Sequence, residues 1–194
     1  MTKIVGLTGG IGSGKTMIVN HIKSLGIPVY IADEEAKGIM QSPTVIQEII
    51  NVFGTNVLKD GKISREKLAE LVFNNNEELQ KLNKIVHPIV KKHFKNWVKN
   101  HSQFPFVIKE AAILFESGSN KDCDVIITVT APIETRIQRV IERDKTDRET
   151  VLKRIQSQWS DEQKMLKSDY VIHNISVNET KKEIDRILKK LENI

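Results

Sequence analysis

The segment Gly9-Gly10-Ile11-Gly12-Ser13-Gly14-Lys15-Thr16 constrains the fold more than any other stretch of the chain. It follows a short apolar run, Lys3–Thr8. It precedes an amphipathic pattern over Lys15–Leu25 that sets Ile18, Ile22 and Leu25 on one face and stops at Gly26. The pattern G-x-x-x-x-G-K-[ST] between a strand and a helix builds an anion cradle. Its glycines let the backbone turn tightly and bring N–H groups close around a phosphate. The helix starting at Lys15 adds unpaired N–H donors and the positive end of its dipole. Lys15 contributes a full positive charge to the outer phosphates, and the Thr16 hydroxyl is a ligand for Mg²⁺. Gly10, Ile11, Gly12, Ser13, Gly14, Lys15, Thr16 and Met17 are the residues expected to hold ATP. A dinucleotide fingerprint fails, because G-x-G-x-x-G counted from Gly10 needs a glycine where Lys15 stands.

The rest of the chain alternates short apolar runs with helical patterns, which indicates βα units and a mainly parallel sheet. Five strands are expected, at Lys3–Thr8, Pro28–Ile31, Phe106–Ala111, Val125–Thr130 and Tyr170–His173. Helices are expected over Pro132–Arg143 and after a capping box of Ser176 with Glu179. Between the second and third strands lie about seventy residues with helical patterning and no convincing strand, too many for a plain crossover. Turn signals at Ser42-Pro43, Gly54, Asp60-Gly61 and Asn74-Asn75-Asn76 divide this block into several helices. The expected organisation is a single α/β domain. Residues 1–32, 105–138 and 165–194 form a P-loop core with a five-stranded parallel sheet flanked by helices. Residues 33–104 form an inserted helical acceptor subdomain, and residues 139–164 a lid.

Composition excludes several classes. The 194 residues carry a net charge of +5, which suits a protein that handles polyphosphates or nucleic acid. Lys and Arg are interleaved with Asp and Glu, and aromatics are 5%, too few for a base-stacking platform, so nucleic acid is not expected as a partner. Cys123 is the single cysteine, which rules out an intrachain disulfide or a zinc cluster, and it reads as a buried or bystander residue. No signal peptide and no membrane-length apolar stretch is expected, which places the protein in the cytoplasm. A GTPase would show Asn-Lys-x-Asp and Asp-x-x-Gly motifs. Asn120-Lys121-Asp122 is followed by Cys123, and no Asp has Gly three residues on. A small-molecule kinase remains, which needs an acceptor site and a lid besides the phosphate loop.

Asp33 follows the second strand, where ligands of open α/β sheets gather, and could orient or deprotonate an acceptor hydroxyl. With Glu34 and Glu35 behind it, it reads equally as a helix cap. Arg139 and Arg143 share a helical face ahead of Arg148, Lys153 and Arg154; they either close over transferring phosphate or form a solvated basic surface. Thr146 with Glu149 is a candidate capping box. Glu110 reads as a Walker-B-like acid or a plain strand-end carboxylate. His87 before Pro88 reads as a helix-end or packing residue. Trp97 and Trp159 read as packing residues.

Taken in order, several segments carry a family resemblance. They are Leu7–Lys15, Ala32-Asp33, Leu82-Asn83-Lys84-Ile85-Val86-His87-Pro88, Leu114-Phe115-Glu116, Arg139 with Arg143, Arg154-Ile155-Gln156-Ser157-Gln158, and Asp169–Asn174. Together they resemble dephospho-coenzyme A kinases over nearly the whole length. The resemblance implies transfer of phosphate from ATP to the ribose 3′-hydroxyl of dephospho-coenzyme A, the last step of coenzyme A synthesis. It implies Asp33 as the base, with Lys15, Arg139 and Arg143 as its catalytic companions. The acceptor would meet Asp33, His87 and Glu116, and Thr16 would meet Mg²⁺. The enzyme is expected to be a monomer. The chain departs from the family pattern at Ile31, Glu110, Ala112 and Arg136, where Asp, Asp, Pro and Gln are usual.

Overall fold

The computed structural model describes residues 2–73 and 75–192. The chain divides into two compact units, Met1–Ile31 with His101–Ile194, and Ala32–Asn100. In the first unit, β1 (Lys3–Thr8) leads through the glycine-rich turn into α1 (Lys15–Ser24), and β2 (Val29–Ile31) follows. After the insert come β5 (Phe106–Glu110), β6 (Val125–Thr130), α6 (Ile133–Asp144), α7 (Arg148–Gln156), α8 (Asp161–Met165), β7 (Tyr170–His173) and α9 (Val177–Glu192). The five strands run parallel in the order β2-β5-β1-β6-β7. The central position of β1 explains its sequence. Val5 and Leu7 are wholly buried beside Ile18, Val19 and Ile22 of α1 and Ile184, Ile187, Leu188 and Leu191 of α9. Burial of each such side chain contributes roughly 1.5–3 kcal/mol. Leu7 is in register with Glu110 and Ile127, and Ile31 with Glu110. The carboxyl ends of the strands thus reach one edge of the sheet, where the glycine-rich turn emerges.

The five strands of the parallel sheet differ from expectation only at their ends. β2 begins at Val29, although the Pro28 carbonyl still accepts from Ile108 N–H at 2.9 Å; β5 ends at Glu110. At α7 the capping residue is Asp147, whose carboxylate accepts from Thr150 N–H at 2.8 Å, and not Thr146. An ionised acceptor makes the stronger cap.

The second unit holds α2 (Ala32–Ile39), α3 (Pro43–Phe53), β3 (Leu58–Lys59), β4 (Lys62–Ile63), α4 (Arg65–Phe73) and α5 (Asn76–Asn100). Val45, Ile49, Val57, Ile63 and Leu68 form its core, with Leu82, Ile85 and Ile89 packed against them. The block expected to lack strands contains an antiparallel hairpin, β3–β4, turning at Asp60 and Gly61. Both turn residues have positive φ, 52° and 74°, as a two-residue hairpin turn of the Asp-Gly kind requires. Of the expected turn Asn74-Asn75-Asn76, Asn74 lies outside the described residues, and Asn76 is already the first residue of α5. His87 and Pro88 do not end a helix; they lie inside the 25-residue α5. An interior proline costs about 3 kcal/mol, which the packing of Leu82, Ile85 and Ile89 around it offsets.

Candidate active site

The phosphate loop starts from Thr8 at the end of β1 and closes on the first turn of α1. Gly14 caps α1 at φ 95°, a left-handed conformation that a side chain would oppose. A Cβ there would also stand 2.0 Å from Asn174 Nδ2. Within the loop, Ser13 N–H donates to the Gly10 carbonyl at 3.1 Å, and Met17 N–H to that of Gly14 at 3.1 Å. Lys15 folds back so that its ammonium donates to the Gly9 carbonyl at 2.7 Å. Its charge is held over the loop mouth, and Thr16 is exposed beside it at the helix start. This arrangement suits a polyanion: main-chain donors, a helix N-terminus and a cation meet in one turn.

The loop is held from outside by residues distant in sequence. Arg136 Nε on α6 donates to the Ile11 carbonyl at 2.9 Å, and Ile11 N–H donates to Gln158 Oε1 at 3.0 Å. Asn174, buried after β7, donates to the Ser13 carbonyl at 2.8 Å and accepts from the Thr180 hydroxyl. Arg139 Nη1 approaches the Gly12 carbonyl at 3.4 Å, while Nη2 donates to the Asn174 carbonyl at 3.2 Å. Of the two arginines singled out in the sequence, Arg139 therefore stands at the phosphate loop. Arg143 is exposed and forked onto Asp144, which also takes Arg154. Arg148 likewise pairs with Glu134, and Lys153 with Glu149. The basic run is thus an ion-paired surface with Arg139 at its inner end.

Glu116 lies behind β5. Its Oε1 accepts from Trp159 N–H at 2.8 Å and meets the Lys164 ammonium at 3.1 Å. Burial alone would raise its pKa, but the hydrogen bonds from backbone N–H groups and Lys164 hold it below the ordinary value. Lys164 is wholly buried and also donates to the Ala112 carbonyl. Trp159 stacks on Phe115 with rings 5.8 Å apart and 3° from parallel, so it packs as expected. Asp33 is the second residue of α2 and is exposed; the helix has already begun at Ala32, so Asp33 sits inside the first turn. His87 is exposed on α5, and Glu110 is buried at the end of β5. Among the described residues no group of three or more His, Cys, Asp or Glu is placed to hold a metal ion, and no helix is long and apolar enough to cross a membrane. Arg136, Asp161, Gln158 and Asn174 supply the loop's support and were not singled out for it in the sequence. Gln158 and Asn174 stood out only as parts of the family-like segments.

A family model described as Dephospho-CoA kinase matches residues 3–179. The chain belongs to the dephospho-CoA kinase family. As a member it is an ATP-dependent kinase that phosphorylates dephospho-CoA in coenzyme A biosynthesis. A dephospho-CoA kinase of Fusobacterium nucleatum is 43% identical over 190 residues, with 97% of this chain and 95% of that protein covered. Among solved structures, a Thermus thermophilus protein superposes with a TM-score of 0.87 at 32% identity, covering 98% of each chain. A Campylobacter jejuni dephospho-CoA kinase superposes with a TM-score of 0.75 at 28% identity, covering 100% of this chain and 98% of that one.

Proposed function

We propose that the enzyme transfers the γ-phosphoryl group of ATP to the ribose 3′-hydroxyl of dephospho-CoA, releasing ADP and coenzyme A. The observation that carries this reading is the supported phosphate loop, with Lys15 turned over its mouth, in a chain that matches the family from residue 3 to 179. On this reading Lys15 exchanges the Gly9 carbonyl for the β- and γ-phosphates, and the loop amides neutralise charge as the bridging oxygen leaves with ADP. Arg139, already beside Gly12, stabilises the transferring group; Arg143 joins it after parting from Asp144. Asp33 accepts or orients the proton of the acceptor hydroxyl, and its exposure leaves the carboxylate available for that contact. His87 and Glu116 contribute to acceptor binding. Mg²⁺ needs few protein ligands when phosphates supply the others, so the exposed Thr16 hydroxyl fits it, and the ion would add positive charge at the β- and γ-oxygens. The enzyme works as a cytoplasmic monomer.

A panel of acceptors tests the reading. ADP release is followed with dephospho-CoA, nucleoside monophosphates and shikimate, and the phosphorylated product is examined by phosphorus and proton NMR. Turnover with dephospho-CoA and a new 3′-phosphomonoester is expected. Preferred turnover of another acceptor, or phosphate at another hydroxyl, would overturn it.

A further inference from the structure

Four of the eight residues Gly9–Thr16 are glycine, so the loop has little stiffness of its own. Its shape must come from what grips it, and the grip converges on Ile11. The Ile11 carbonyl takes Arg136 Nε at 2.9 Å, and its N–H is taken by Gln158 Oε1 at 3.0 Å. Its side chain packs against the apolar cluster that Ile137 and Val140 of α6 form with Val151 of α7, as do Ile141, Leu152 and Ile155. Arg136 is itself fixed. Its side chain is 6% exposed and pairs at 2.8 Å with Asp161, which also accepts from the Thr130 hydroxyl. Gln158 lies two residues beyond the end of α7, and Asp161 opens α8.

The other partner in this contact is a short helix. α7 is nine residues long and Val151 is its buried residue. A helix that short does not persist on its own and depends on packing, which here includes Ile11. The loop therefore relies on the α7–α8 connection for its shape, and α7 relies on the loop for part of its order.

We propose that Gln158 and Arg136 are positioning residues that couple the two: nucleotide in the loop orders α7, and release of Ile11 weakens nucleotide binding. The inference rests on the loop being the nucleotide site. Because such coupling is reciprocal, it must appear from both ends. Neither side chain need touch substrate, and the acceptor site is not involved.

Amide hydrogen exchange of the full-length enzyme, with and without saturating ADP, reads one end. Steady-state kinetics of Gln158→Met, which keeps the volume and removes the acceptor oxygen, reads the other. Amides of residues 148–156 should exchange severalfold more slowly with ADP in the wild type, and this protection should largely vanish in Gln158→Met. The variant should raise KM for ATP about tenfold, as loss of one anchoring hydrogen bond allows, and leave KM for dephospho-CoA unchanged. Arg136→Lys retains the charge facing Asp161 but not the Nε donor, and should give the same pattern should Gln158→Met fail to fold. Unchanged ATP affinity in a folded variant, or exchange in α7 indifferent to ADP, overturns the coupling alone. A wild-type protein that binds no ADP or ATP overturns both the coupling and the proposed function.

Discussion

Gly10→Ala puts the support of the phosphate loop to a quantitative test. A Cβ at Gly10 would lie 2.1 Å from Arg136 Nη2, 2.7 Å from its Cζ and 2.9 Å from Asp161 Oδ1, where ordinary contacts need about 3.5 Å or more. The guanidinium has little freedom to yield. Nε is committed to the Ile11 carbonyl, Nη1 to Asp161 Oδ2, and the side chain is almost fully buried. Forcing a methyl into a packed interior costs about 1–3 kcal/mol, and separating a buried ion pair about 3–5 kcal/mol. Partial displacement of the arginine should fall between, at about 2–4 kcal/mol. For a chain of this length each kcal/mol moves the melting temperature by about 2–4 °C, so a fall of roughly 4–16 °C is expected in differential scanning calorimetry. The double-mutant cycle isolates the cause. In an Arg136→Ala background the two shortest contacts are gone and only that with Asp161 Oδ1 remains, so Gly10→Ala should cost clearly less there than in the wild type. A Gly10→Ala enzyme that melts within about a degree of wild type would refute the reasoning. So would an equal cost in both backgrounds.

Asp33→Asn should retain ATP binding in calorimetry and lose about 10²–10⁴ in kcat; a lower melting point with kcat intact would instead assign Asp33 to the first turn of α2. Glu116→Gln leaves the wholly buried Lys164 without its counter-ion and should cost on the order of 2–4 kcal/mol at pH 7. Since the folded pKa of Glu116 lies below its ordinary 4.5, its contribution is complete above that value and is lost as pH falls through the folded pKa. The stability gap between wild type and Glu116→Gln in urea melts should therefore close below pH 4.5, and a gap independent of pH would contradict the assignment. Burial pushes the Cys123 thiol up to about 11. Alkylation at pH 8 should be slow in the native protein and fast in urea, and rapid native labelling would show the thiol to be open.

The phosphate loop was legible because its chemistry is local. Glycine spacing, one lysine and one threonine lie between a buried strand and an amphipathic helix, and each element is long enough to show its own period. The β3–β4 hairpin was not legible. Strands of two residues leave no alternation to read, and Asp60-Gly61 alone reports a turn without saying what it joins. Pro88 argued locally for a break, but the apolar face of Leu82, Ile85 and Ile89 overrode it. The support of the loop was hidden for another reason. Arg136 is 125 residues from Ile11, Gln158 is 147, and Asn174 is 161 residues from Ser13. In the sequence each looks like an ordinary polar residue at a helix or strand end. Only the parallel sheet, by gathering the ends of β1, β6 and β7 at one edge, makes them neighbours. Arg139 and Arg143 show the same limit: equal on a helical face, they part once Asp144 engages one and Gly12 the other.

The most direct measurement is a crystal structure of the enzyme grown with Mg²⁺ and a non-hydrolysable ATP analogue. The β- and γ-phosphates should occupy the turn between Gly9 and Thr16, with the Lys15 ammonium moved from the Gly9 carbonyl onto them. Analogue bound elsewhere, or a vacant turn at saturating analogue with Lys15 still resting on Gly9, would contradict the central claim.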